Sequence, residues 1–203
     1  MLNKKIDIQN SSLSFSDYFK LNIDIDELVE EFGYTYTRGK TFIKDINITQ
    51  SSQNLKNQLD LVLTSIPLQS EISIREFLIA PILLDLLAQY DFKIKSEKSI
   101  YFTENLRGVL DYYIDNQKNS LVIIEAQNMD LISGVKQLAI ELIALDKLID
   151  DQSKDIYGIV TIGTNWIFVI LDRKNHIIHE STKRYHLPEE LDEIVSILGE
   201  ILG

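Results

Sequence analysis

The chain has 203 residues, 45% of them hydrophobic and 25% charged, with no cysteine and a net charge of −11. That composition supports a globular domain with a sizeable core, and the absence of cysteine excludes a disulfide scaffold, a zinc knuckle and thiol catalysis. The acidic balance argues against tight, non-specific binding to DNA phosphates unless a local basic strip or bound divalent cations reverse the field.

No charged stretch followed by an apolar run opens the chain, so no signal peptide is expected. The longest apolar run, Phe77 to Leu84, is too short to span a bilayer. A soluble, cytoplasmic protein with no membrane association is expected.

Residues 1–22 carry no strong periodicity. Residues 24–33 read as a short helix with Asp24 as N-cap and Gly33 as its stop. Tyr34 to Ile48 reads as extended, with a turn at Arg38-Gly39-Lys40. Residues 52–65 place Leu55, Leu59 and Leu63 on one helical stripe that ends before Pro67. A long apolar helix follows over 71–90, with Ile74, Phe77, Leu78, Ile82 and Leu86 on its buried face and a kink or restart at Pro81. Extended segments cover about 92–102, 106–115 and 120–127, and an amphipathic helix covers 134–149. Two strands, 156–163 and 166–172, precede a short third strand at 177–180 and a closing helix whose first turn holds Pro188. The order from residue 71 is helix, three strands, helix, strand, strand, helix. It defines an α/β domain with a mixed central sheet flanked by helices. Residues 67–203 form the core, and residues 1–66 are an N-terminal α/β embellishment packed on it.

The hairpin at 107–127 carries the chemistry. With a tip at Asn116 to Asn119, Asp115 pairs with Ser120, partner numbers sum to 235 or 236, and Asp111 falls opposite Ile124 or Glu125. Glu125 and Gln127 share a face because strand side chains alternate. The run Leu121 to Ile124 is apolar without alternation, as in a strand covered on both faces. Two carboxylates close together repel, and an oxygen-seeking Mg²⁺ or Mn²⁺ resolves the repulsion. Such an ion polarises a phosphoryl oxygen and generates hydroxide from water.

This order of elements, with Asp on one strand and Glu-x-Gln on the next, resembles the PD-(D/E)-x-K nuclease superfamily, the restriction-endonuclease-like fold. More narrowly it is similar to a bacterial group of uncharacterised proteins within that fold. The segments that carry the resemblance are Phe15-Ser-Asp-Tyr-Phe-Lys20, Arg75-Glu-Phe-Leu-Ile-Ala-Pro81, Arg107-Gly-Val-Leu-Asp-Tyr112, Val122-Ile-Ile-Glu-Ala-Gln127 and Gln137-Leu-Ala-Ile-Glu-Leu-Ile-Ala144.

The resemblance implies a metal-dependent DNA endonuclease, a phosphodiesterase with Asp111 and Glu125 as metal ligands. The backbone carbonyl of Ala126 and the carboxylate of Glu76 complete the set. Asp111, Glu125 and Gln127 are the catalytic candidates. Gln127 stands where the superfamily carries lysine; an amide holds a water by hydrogen bonds but is neither cation nor base. Gln137, Lys136 and Arg107 are the candidates for binding or support, Lys136 as a migrated cation. The implied partners are DNA and a second copy of the chain as a homodimer. The alternative is a catalytically inactive nuclease-fold module that binds a protein partner, favoured by Gln127 and the acidic balance.

Other residues have plainer readings. Arg107-Gly108 marks a close approach of chains. Gln137 reads as a solvated helix residue and Glu76 as an ion-pair residue when taken alone. His176, His179 and His186 read as surface histidines, and Trp166 with Phe168 as core. Lys93, Lys95 and Lys98 form a basic strip that either tracks a phosphate backbone or protects an edge strand.

Overall fold

The strand Ser120–Ala126 is hydrogen-bonded on both edges, antiparallel to Leu106–Asn116 and parallel to Ile156–Thr161. The computed structural model that places it describes residues 8, 11–40, 46–116, 120–126, 130–151 and 154–203, with 120–126 described through the backbone. The strands are β1 (Thr35–Gly39), β2 (Lys93–Thr103), β3 (Leu106–Asn116), β4 (Ser120–Ala126), β5 (Ile156–Thr161), β6 (Asn165–Asp172), β7 (Ile177–Ser181) and β8 (Tyr185–His186). They form one mixed sheet in the order β1-β7-β6-β5-β4-β3-β2, with β8 beside β6. The parallel pairs are β4 with β5 and β1 with β7.

Helices cover both faces. On one face lie α3 (Gln53–Ser65), α4 (Glu71–Ile74), a π-helical turn (Arg75–Ile79), α5 (Ala80–Leu87) and α7 (Leu191–Leu202), packed on Tyr112, Ile114, Ile159, Trp166 and Phe168. On the other lie α1 (Phe15–Tyr18), α2 (Ile25–Glu30) and α6 (Leu131–Leu148), packed on Leu110, Tyr113, Val160, Ile167 and Val169. Alternate residues of β5 and β6 thus feed opposite cores, as the pleat requires. None of the helices in the described residues is long and apolar enough to cross a membrane.

Local chemistry accounts for most boundaries. The Ser52 hydroxyl accepts the Leu55 amide at 3.1 Å to start α3, and Ile66, ahead of Pro67, is already extended. Asp130 accepts the amides of Ile132 and Ser133, so α6 begins at Leu131 rather than at Gly134. The expected 71–90 helix is instead α4, the π-turn and α5, ending at Leu87. Pro81 has no N–H to return to the preceding turn. The ladder widens just before it, where the Ala80 amide reaches back to the Arg75 carbonyl.

The closing helix starts at Leu191, three residues beyond Pro188, because residues 186–190 form a turn in which the Glu190 amide bonds to His186 O at 2.7 Å. The expected extension of β1 to Ile48 stops at Gly39; residues 41–45 lie outside the described residues, and 46–50 have no regular structure. In the hairpin, Asn116 pairs with Ser120 and Asp115 with Leu121. The expected pairing of Asp115 with Ser120 is therefore corrected by one residue, and the partner numbers sum to 236. The tip itself, 117–119, lies outside the described residues.

The close approaches at Gly108 and Gly158 need glycine. A Cβ on Gly108 would meet the Phe15 ring at 2.5 Å, and one on Gly158 would meet Leu138 at 2.9 Å. The first seats α1 on β3, and the second seats α6 on β5. Trp166 is fully buried, and its indole N–H donates to Gly163 O at 2.8 Å.

A buried ion pair ties α6 to the sheet. Arg173, 2% exposed, donates from Nε to Asp146 Oδ1 at 2.6 Å and from a terminal nitrogen to Ile149 O at 2.5 Å. The Tyr34 hydroxyl donates to the other Asp146 oxygen at 2.6 Å. Breaking such a pair leaves an uncompensated buried charge. Arg173→Met is expected to cost about 3–5 kcal/mol in urea unfolding, and Arg173→Met with Asp146→Leu to recover part of that loss. A single variant as stable as wild type would show that the pair contributes nothing.

Candidate functional site

Asp111 lies where the regular pairing of β3 fails on both sides. Toward β2, Ser96 pairs with Tyr112 and Lys98 with Leu110, and the register steps over Glu97 and Asp111 between them. Glu97 has φ of +51°, in the left-handed region that side chains disfavour. The alternation of β3 slips at the same point: Leu110 and Tyr113 enter the α6-side core, whereas Tyr112 and Ile114 enter the opposite one. Toward β4, the ladder ends at Tyr112↔Ile124. One further step of that register sets Asp111 across from Glu125. There β4 has left β3 and stays with β5, through Glu125↔Val160 and Ala126↔Thr161. The hairpin thus brings the backbones of the two acidic positions to the point where the sheet opens. Gln127 lies outside the described residues.

The π-turn carries Arg75 over this opening. One terminal nitrogen of its guanidinium donates to Asp111 Oδ1 at 2.8 Å and the other to Glu97 Oε1 at 2.9 Å. The Asp111 and Arg75 side chains are 19% and 20% exposed, whereas Glu97 is 67% exposed. The inner pair is therefore the better shielded and the stronger of the two. Arg75 Nε is buried with no acceptor among the described residues. The Tyr112 hydroxyl donates to Arg75 O at 3.1 Å, fixing the turn to β3.

Further carboxylates crowd the pair. The carboxyl of Glu71, at the start of α4, is pushed up by loss of water and then by repulsion from Asp111, and Arg75 draws it partly back. Burial raises the Tyr112 hydroxyl, and the charges of Asp111 and Glu76 add to that rise. Glu76 itself is exposed. Among the described residues no group of three or more His, Cys, Asp or Glu side chains is gathered to hold a metal ion.

Lys136 and Arg107 are drawn elsewhere. Lys136 donates to Leu21 O at 3.0 Å and lines a separate pocket with Asp24, Tyr36, Arg38 and Glu180. Arg107 bonds to Ser12 Oγ at 2.9 Å and Glu104 O at 3.2 Å, where Ser14 bridges to β3. Gln137 is buried rather than solvated, and its amide nitrogen donates to Glu141 Oε1 at 2.9 Å. The reason is that α6 is buried on nearly every side, so that Gln137 is enclosed and bonds to Glu141 one turn on.

Of the histidines, His176 stacks obliquely on Tyr34 and His179 bonds to Thr37, so neither approaches Asp111. Lys98 sits 3.4 Å from the centre of the Tyr113 ring on the edge strand β2. The sequence reading missed Arg75, Glu71 and Glu97 as neighbours of Asp111. The one signal for them was a lone arginine opening an otherwise apolar helical stretch.

Neither protein-family models, curated proteins nor solved structures yield a match to this chain.

The crowding has a pH signature. The folded chain holds the Glu71 proton more tightly than the unfolded chain does. Its stabilising contribution is therefore full below its unfolded pKa and is lost as pH rises through the folded one. Asp111→Asn is expected to lower the Glu71 titration midpoint in carboxyl ¹³C NMR, and Arg75→Gln to raise it. An unmoved midpoint in both would show that the three groups do not share one field.

Proposed function

We propose that this chain is a metal-dependent phosphodiesterase of the restriction-endonuclease-like fold, acting on DNA at the opening between β3 and β4. One observation carries the reading: the β3–β4 ladder ends at Tyr112↔Ile124, and its register continued by one step puts Asp111 across from Glu125 where β4 parts from β3. The helix–three strands–helix–strand order around it agrees with the resemblance to the PD-(D/E)-x-K superfamily.

The donor types suit Mg²⁺ or Mn²⁺. Carboxylate oxygens suit hard cations, and Asp111 and Glu71 already repel one another, which a cation relieves. Arg75 occupies one Asp111 oxygen but holds Glu97 with its other nitrogen, so it can release Asp111 without losing all its charge partners. Asp111, Glu125, Glu76 and the Ala126 carbonyl would hold the ion. When bound, the ion supplies Lewis acidity and lowers the pKa of water. Gln127 would orient the attacking water through its amide, and Tyr112 fixes the turn that carries Arg75.

A second reading keeps the fold and drops the chemistry. Arg75 already neutralises Asp111, Gln127 is no base, and the net charge is −11. Under it the opening is a remnant, and the chain is a module that binds a protein partner.

Cleavage of plasmid, linear and single-stranded DNA in Mg²⁺ or Mn²⁺ separates the two. Wild type is expected to cleave. Asp111→Ala is expected to lose at least about 10²-fold in rate, and Gln127→Lys to gain. Silence in wild type together with an active Gln127→Lys would mean an intact but disarmed centre. Silence in all three would establish the module.

A further inference from the structure

Arg75 makes two charge-assisted bonds to carboxylates from different strands. Its own backbone is held by a π-turn and by the Tyr112 hydroxyl, and its Nε faces no acceptor among the described residues. π-Turns of this kind concentrate at functional positions because they re-aim one side chain out of the regular helical row. The facing residue, Glu97, is held in a strained backbone conformation at the same spot. A guanidinium with its planar fork of donors is matched to phosphate as well as to carboxylate.

Resting on the phosphodiesterase reading above, we infer that Arg75 is the cation of this centre and supplies the positive charge that Gln127 does not. In the metal-free protein it neutralises Asp111. With Asp111 holding a divalent ion, Arg75 would keep Glu97 as its anchor and would turn the terminal nitrogen that now bonds Asp111 toward the phosphate. Arg75 thus competes with the metal and contacts the substrate. A purely structural ion pair would do neither.

The test measures Mn²⁺ affinity by calorimetry and, separately, affinity for a short DNA duplex in Mn²⁺ by fluorescence anisotropy. Neither readout depends on turnover. Arg75→Gln is expected to bind Mn²⁺ about fivefold more tightly, because a competitor is gone. It is expected to bind the duplex roughly tenfold more weakly, because a phosphate contact is gone, with Arg75→Lys recovering most of the duplex affinity. Glu97→Gln, at an exposed position, is expected to weaken Mn²⁺ binding, since Arg75 then has only Asp111 to hold. Arg75→Gln with unchanged or weaker Mn²⁺ affinity overturns the inference. If Asp111→Ala still abolishes Mn²⁺ binding, the phosphodiesterase reading survives that result. Wild type that binds no Mn²⁺ overturns both.

Discussion

Everything in this molecule is arranged around the two-sided hydrogen bonding of β4. It is antiparallel to β3 as far as Ile124 and parallel to β5 as far as Ala126, so the two ladders end at different heights. A parallel neighbour demands a crossover connection, and α6 provides it, buried along most of its length against the sheet. α4 closes the other face, with Ile74 in the core beneath it. The mismatch in ladder length leaves an opening in the sheet, and Asp111 stands at its rim.

A carboxylate at such an opening is only partly solvated and needs a countercharge. Arg75 meets that need, and three irregularities gather around it. The helix widens to a π-turn before Pro81, Glu97 adopts a left-handed backbone, and the β2–β3 ladder skips one pair. Each is a local cost, and all three fall within the reach of one guanidinium. The contrast with Arg173 and Asp146 is instructive. That pair is almost wholly buried, is bonded to backbone carbonyls and Tyr34, and interrupts no ladder. It serves stability, whereas the Arg75 pair sits at an opening and its Nε meets no acceptor among the described residues.

Much of this was legible in the sequence. Alternation and turn chemistry located β2 to β7, and the arithmetic of the hairpin put Asp111 opposite Ile124 or Glu125; the ladder itself ends at Tyr112↔Ile124, and the tip shifted the pairing of Asp115 by one residue. Helix α6 was visible from its apolar period, and the break at Pro81 from the missing N–H. What could not be read were contacts between distant elements. Nothing in the local pattern says that Arg75 crosses to Asp111, thirty-six positions away, or that β1 lies parallel to β7 at the sheet edge. Helix α1 is four residues long, too short to show a period, and is defined by Phe15 packing where Gly108 leaves room. Gln137 was misjudged because burial on every side of α6 removes the polar face that single-residue expectations assume.

The central claim is that the opening beside Asp111 is a divalent-cation centre governed by Arg75. The most direct measurement is anomalous diffraction from crystals of the wild-type protein grown with Mn²⁺. The expected result is an anomalous peak between the carboxylates of Asp111 and Glu125, with Arg75 withdrawn from Asp111 and still on Glu97. Electron density with no peak there, and with the Arg75 guanidinium still on Asp111, would contradict it.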